Sequence, residues 1–360
     1  MPRFVEDRVL DEIEVIIPNL SLRYSGGTAV NRTITPLIAT KLDAVWFGPD
    51  APDGIRRLSW LDLLRLRFQP PKAHAVRIWH ARRNMEMLVG LVLKWLGWRF
   101  AVIFNSAGQR RHTGYTRFLI DQMDEIIATS EISASFLERP ATIIHHGIDL
   151  EAYKPPLDRA KSFAETALPG KYGIGVFGRV RKQKGIDLFV ASMLRLLPNY
   201  PDFTALIIGL ITPDNADFVS KLKADIAAAG LSDRIRFTGE LPIEQVPAWY
   251  QRISIYVFAS RVEGFGLTML EAMAAGNAVV ATRAGAAELV IEDGVTGVLA
   301  PTGDIEALTA SIEPLMREPE RCEAIGAQAR ARVMDAFNRN REVDEIIGVY
   351  RKIWAGRDRA

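Results

Sequence analysis

Short runs rich in Val and Ile, apolar on both faces and separated by helix-like stretches, leave this chain few folds to choose from. "IEVIIPNL" (13–20), "LDAVWFGP", "AHAVRIWHA", "RFAVIFNSA", "DEIIATS" and "ATIIHHG" fill the first half, with segments such as "NMEMLVGLVLKWLG" between them. A strand with one wet face alternates apolar and polar residues; a strand covered by helices on both sides does not, so these runs predict parallel sheet. After "DLEAYKPPLDRAKSFAETALPG" (149–170), with Pro155-Pro156 and a cluster of charges, the pattern restarts in "YGIGVFG", "FTALIIG", "RIRFTG", "ISIYVFAS" and "AVVATRA". The expectation is an α/β chain of two doubly wound, Rossmann-like domains facing each other, 1–165 and 166–340, with a helix over 341–360 that packs back. A length of 360 residues suits two such domains.

Composition narrows the class. Cys322 is the single cysteine, which excludes a disulfide framework and a cysteine-built metal site. The first fourteen residues carry seven charged side chains and do not read as a secretory signal. The uncharged run 272–282 is eleven residues, against roughly 20 for a membrane span. Net charge is only +2, yet between Arg56 and Arg117 thirteen Lys and Arg face two acids, Asp62 and Glu86. Such a segment attracts anionic lipid or a phosphorylated glycolipid. Trp60, Trp79, Trp95 and Trp98 interleave with these cations, as in segments that lie at a membrane surface.

In doubly wound sheets ligands bind beyond the carboxyl ends of strands. In "FGRVRKQKGIDLF", Arg179 and Lys184 stand with other cations between Gly178 and Gly185 before a helix, a setting suited to a diphosphate. In "RVEGFGLTMLEAMAAG", Glu263 and Glu271 flank the turn Gly264-Phe265-Gly266. Glycine lets backbone N–H groups approach phosphate or sugar oxygens, and a carboxylate can accept two hydroxyl hydrogen bonds. "YSGGTAV" places Gly26 and Gly27 after the first strand, and "NSAGQRRHTGYTR" places Arg110, Arg111 and His112 after a later one. His80, ending "AVRIWH", is a second candidate histidine. A D-x-D triplet and His/Cys/Asp clusters at ligand spacing are missing, so neither metal nor cofactor is expected.

These turns resemble the family 4 retaining glycosyltransferases of the two-Rossmann (GT-B) architecture. The likeness runs through most of the second half, including "HHGID" and the Glu263/Glu271 spacing. The resemblance implies that Arg179 and Lys184 bind the donor diphosphate and that Glu271 holds the ribose. It also implies that Glu263 lies near the transferred sugar, with the backbone of Phe265, Gly266 and Leu267 completing the cradle. Gly26 and Gly27 would then close over the diphosphate. Members often carry a histidine where this chain has Asn105, which leaves His112 and His80 as candidates for its role.

The N-terminal segments "VRIWHARRNMEMLVGLVLKWLGWRF" and "YSGGTAVNRTI" are similar to the lipopolysaccharide core mannosyltransferases of Gram-negative bacteria. That resemblance implies a GDP-mannose donor, a Kdo-containing lipid A or inner-core acceptor, and a cytoplasmic enzyme peripheral on the inner face of the cytoplasmic membrane. Arg110 and Arg111 are the candidates for an acceptor carboxylate or phosphate. A UDP-sugar enzyme of capsule, exopolysaccharide or glycolipid assembly is the nearest alternative. A nucleic-acid-binding protein lacks a recognisable module here. A Rossmann oxidoreductase would need G-x-G-x-x-G where the chain has "SGGTAV".

Overall fold

The computed structural model describes residues 10–21 and 26–359. It divides into two compact units, residues 1–145 with 339–360, and residues 146–338. In the first unit β1 (Val15–Pro18), β2 (Ala44–Phe47), β3 (Arg57–Leu58), β4 (Arg77–Ala81), β5 (Phe100–Ser106), β6 (Glu125–Ala128) and β7 (Thr142–Ile143) form one sheet in the order β3-β2-β1-β4-β5-β6-β7. In the second, β8 (Tyr172–Phe177), β9 (Phe203–Ile208), β10 (Ile235–Gly239), β11 (Ile255–Phe258), β12 (Ala278–Thr282) and β13 (Val298–Ala300) pair as β10-β9-β8-β11-β12-β13. All these pairings are parallel. Each sheet runs outward both ways from its first strand, so each has a switch point, at β1/β4 and at β8/β11.

Side-chain alternation explains why the strands read as solid apolar runs. Ala205 and Ile207 of β9 point into one core with Ile174, Val257 and Phe189, while Leu206 and Ile208 point into another with Tyr256, Phe258 and Leu270. Both faces of the sheet are buried, so both registers of the period-2 pattern must be apolar. β3 begins at the charged Arg57 and β13 is bounded by Gly297 and Pro301, so neither sits in such a run.

The boundary differs from the expected one. The segment after His145 belongs to the second unit, because Ile148 N–H bonds to Phe337 O at 2.9 Å and Arg159 donates to the carbonyls of Tyr250, Gln251, Ile253, Ala275 and Gly276. The charged, proline-rich stretch expected to be a linker is therefore bolted to the second unit, and the change of unit falls some twenty residues before 165. The last helix, Arg339–Arg357, lies in the first unit. There Tyr350 and Trp354 are buried, Trp354 stacks on His74 with centroids 4.0 Å apart, and its Nε1 donates to Val76 O at 3.0 Å.

Candidate functional site

The switch point of the second unit gathers two of the sequence-predicted loops. Beyond β8, Gly178 (φ +127°) turns the chain, Arg179 is exposed, and Lys182–Lys184 make one 3-10 turn before Gly185 (φ +68°) opens the helix Ile186–Leu196. Beyond β11, residues 261–266 lead through Gly266 (φ +100°) into the helix Leu267–Ala274. The backbone is left-handed where each of these helices begins, which is why glycine stands there. A Cβ on Gly185 would lie 1.8 Å from Ala259 O, so the two loops touch backbone to backbone.

Arg261 stitches them further. Its guanidinium grips Asp187 through both carboxylate oxygens at 2.7 and 2.9 Å and donates to Lys182 O at 2.6 Å. Arg261 N–H donates to Gln183 O, and Gln183 Nε2 to Val262 O. A bidentate Arg–carboxylate pair restrains orientation as well as distance. Lys184 and Glu263, each about one fifth exposed, are thereby brought into an ion pair. The sequence treats these two as separate contacts; the structure makes each the resting partner of the other. An incoming diphosphate would compete with Glu263 for the ammonium.

Glu271, in the second turn of the helix, accepts from Tyr250 Oη at 2.7 Å. Burial pushes its carboxyl above the ordinary range, while the Tyr250 and Tyr153 hydroxyls and the Lys184 charge pull the other way. Tyr250 is fully buried, packed 4.1 Å from the Phe177 ring centroid. Its bond to Glu271 is a contact that sequence reading missed, since a tyrosine in "AWYQR" carries no motif. Phe265 is buried, and its carbonyl accepts from Ala286 N–H at 2.9 Å. That bond aims the following helix start, whose first N–H groups lack intrahelical acceptors. The face of this crevice thus offers Lys184, with Arg179 exposed on the same loop, two carboxylates and the N-termini of two helices.

The N-terminal candidates are more scattered. Gly26 and Gly27 are the first residues of the helix Gly26–Ala39, and a Cβ on Gly26 would meet nothing within 4 Å. Arg110 and Arg111 are exposed on the loop after β5. His112 on the same loop is half-buried, and burial together with the Arg110 charge lowers its pKa. His80 is corrected by the structure. It is 1% exposed, with Nδ1 2.6 Å from Tyr350 Oη. Burial holds it well below the usual imidazole range, and its Nε2 is buried with no partner among the described residues, so it is an interior residue of the first unit and not an exposed one.

The basic segment is also less free than its composition suggests. Arg56, Arg65, Arg83, Lys94 and Arg117 pair with Asp43, Asp62, Glu86, Asp124 and Glu138. Arg77 is buried, donating to the carbonyls of Leu10, Ile13 and Gln69, with its pKa lowered to about 10 by burial. Trp79 and Trp98 are core residues, whereas Trp60, Leu61, Leu64, Phe68, Trp95 and Leu96 are each more than half exposed. Arg67 ties these together by donating to Leu96 O. Among the described residues no helix is long and apolar enough to cross a membrane, and no cluster of three His, Cys, Asp or Glu could hold a metal.

A family model described as glycosyl transferases group 1 matches residues 158–332. Over 344 residues the chain is 45% identical to the lipopolysaccharide core biosynthesis mannosyltransferase LpcC of Rhizobium leguminosarum bv. viciae, covering 95% of this chain and 97% of the relative. Over 349 residues it is 40% identical to the corresponding mannosyltransferase LpsB of Rhizobium meliloti, covering 95% and 98%. Among solved structures, Anabaena Alr3699/HepE in complex with UDP and glucose matches with a TM-score of 0.79 at 20% identity, covering 94% of this chain and 100% of that one. That last likeness speaks to the fold, two Rossmann-like domains of the GT-B type.

Proposed function

We propose, from the premise that this chain belongs to the lipopolysaccharide core mannosyltransferase family of group 1 glycosyltransferases, that it transfers mannose from GDP-mannose to a Kdo-containing lipid A or inner-core acceptor. The observation that carries the reading is the β8/β11 crevice, where Lys184 and Glu263 pair beside Glu271. Retaining transfer needs the departing diphosphate stabilised and a positive sugar centre tolerated. In this reading Arg179, Lys184 and the helix N-termini supply the first. Glu271 holds the ribose, and Glu263, released from Lys184 when phosphate arrives, faces the sugar. The leaving phosphate itself takes the acceptor's proton, His112 being the protein group proposed to assist. Arg110 and Arg111 are proposed to meet an acceptor carboxylate or phosphate.

The test is radiolabelled transfer onto Kdo–lipid A from GDP-mannose, UDP-glucose, UDP-galactose and UDP-GlcNAc. GDP-mannose is expected to be the fastest donor, and the rate to survive dialysis against EDTA, since protein cations are assigned the diphosphate charge. Faster transfer from a UDP-sugar would replace the donor. Abolition by EDTA, restored by Mg²⁺ or Mn²⁺, would show that protein cations do not suffice.

A membrane-surface acceptor also implies peripheral docking. Support comes from the exposed Trp60, Leu61, Leu64, Phe68, Trp95 and Leu96, with Arg65, Lys72 and Arg99 exposed in the same segment. Aromatic and aliphatic side chains bordered by cations suit an anionic bilayer interface. Flotation is expected to show binding to anionic vesicles that weakens with salt, each near-surface cation contributing about 1 kcal/mol. Changing Leu61, Leu64 and Phe68 to Ser should remove the binding that survives salt. Equal binding to neutral vesicles would overturn the electrostatic part.

A further inference from the structure

The N-terminal unit carries a second switch point, and polar residues fill it where core is expected. The helix Gly26–Ala39 turns Thr28, Asn31 and Thr35 inward, all at most 1% exposed. The buried face of such a helix is ordinarily apolar. Asn19, directly after β1, is fully buried, and Arg82, Arg83 and buried Glu86 follow β4. Arg83 Nη1 donates to Asn19 Oδ1 at 2.8 Å, its Nη2 to Thr28 Oγ1 at 2.6 Å, and Arg82 Nε to Asn31 Oδ1 at 2.5 Å.

Those bonds decide which way the amides face. A guanidinium only donates, so each asparagine must present its oxygen to the arginine and its NH₂ elsewhere. Asn19 Nδ2, Asn31 Nδ2 and Arg82 Nη2 are all buried and have no acceptor among the described residues. Buried unpaired donors are rare and costly. The buried carboxylates of Glu86 and Glu342 act on Arg82, and His80 Nε2 at the end of β4 is likewise buried without a partner, but the three nitrogens named are all donors and a group that only accepts would satisfy them. The three nitrogens are themselves enclosed, and of the groups bonded to them the Arg83 side chain, 24% exposed, brings one edge of the cluster to the surface.

We propose that this crevice, beyond the carboxyl ends of β1 and β4, is an oxyanion subsite in which the Asn19 and Asn31 amides and Arg82 grip a carboxylate or phosphate of the acceptor. It deepens the anionic-acceptor reading given above, and rests on it for the identity of the molecule but not for the presence of the anion. It also adds to Arg110 and Arg111 a set of donors that are buried and already oriented, which costs less ordering on binding than two exposed side chains do.

Asn31→Asp separates ligand binding from packing. The aspartate still accepts from Arg82, now as an ion pair, but puts an acceptor where the NH₂ stood. A merely structural asparagine would tolerate this; an oxyanion subsite would not. Calorimetric titration of the full chain with inorganic phosphate and with free Kdo is expected to show binding of at least one. In Asn31→Asp that affinity should fall at least about tenfold, as for one lost charge-assisted bond, with GDP affinity and melting temperature kept. Asn19→Asp is the second variant, with the same expectation. Kdo without phosphate binding would assign a carboxylate, and the reverse a phosphate. Either result holds even if Kdo–lipid A proves not to be the acceptor. If the parent binds neither probe, or both Asp variants bind as the parent does, the crevice holds ordered water only and the proposal falls.

Discussion

Replacing Lys184 with alanine is expected to cut sugar transfer by more than about a hundredfold while leaving the protein folded. Its ammonium is the cation held in the β8/β11 crevice, and Glu263 is its resting partner. Losing one charge-assisted hydrogen bond weakens binding by about 1.5–3 kcal/mol, roughly ten- to hundredfold. The variant also leaves the Glu263 carboxylate without its counter-ion beside an incoming diphosphate, and that repulsion adds to the loss. Folding is spared because Lys184 stands in the one-turn loop after β8, outside both apolar cores of the second unit. Glu271→Ala is the informative partner. It should lose nucleotide affinity similarly and also melt lower, since the fully buried Tyr250 hydroxyl loses its acceptor at a cost of about 1–3 kcal/mol. Calorimetric titration with GDP and a melting curve measure both effects. Unchanged GDP affinity in the two variants would remove the donor site from this crevice.

Gly185→Ala should be the most damaging single methyl in the second unit, and Gly230→Ala supplies its control. The two glycines share almost the same backbone, φ +68° and +69°. Left-handed backbone costs an alanine about 1 kcal/mol at either position. Only Gly185 has a neighbour in the way: the added carbon would sit 1.8 Å from Ala259 O, whereas at Gly230 it meets nothing within 4 Å. Relief requires the β8 and β11 loops to part, an overpacking cost of roughly 1–3 kcal/mol more. Melting should therefore fall by about 5–15 °C for Gly185→Ala and by no more than about 4 °C for Gly230→Ala. GDP binding should weaken in the first only, because parting the loops moves Lys184 and the start of the helix Ile186–Leu196 away from the Glu271 side of the crevice. Equal losses in stability would mean that the close approach carries no weight.

Architecture was legible in the sequence because a doubly covered parallel strand must be apolar at every position, and few other elements are. The same logic found the strand-end loops, since glycine with positive φ is needed where Gly178, Gly185 and Gly266 stand. The domain boundary was not legible. Prolines and charges near 155 look like a linker, but Arg159 satisfies five backbone carbonyls of the second unit, and a local pattern cannot display such distant acceptors.

By itself the sequence determined two parallel α/β units and singled out Arg179, Lys184, Glu263 and Glu271 as the candidates of the second, because strands follow from periodicity and candidates from residue type next to a turn. Tertiary structure alone decided which of them meet. Lys184 lies seventy-nine residues from Glu263 and pairs with it only because β8 and β11 are neighbours and Arg261 stitches their loops. It also decided that His80 is interior, that much of the basic segment is already paired, and that three buried donors lie beyond β1 and β4. Pairing and burial depend on which strands become neighbours in space, and hydrogen-bond satisfaction depends on angles that a residue's identity does not carry.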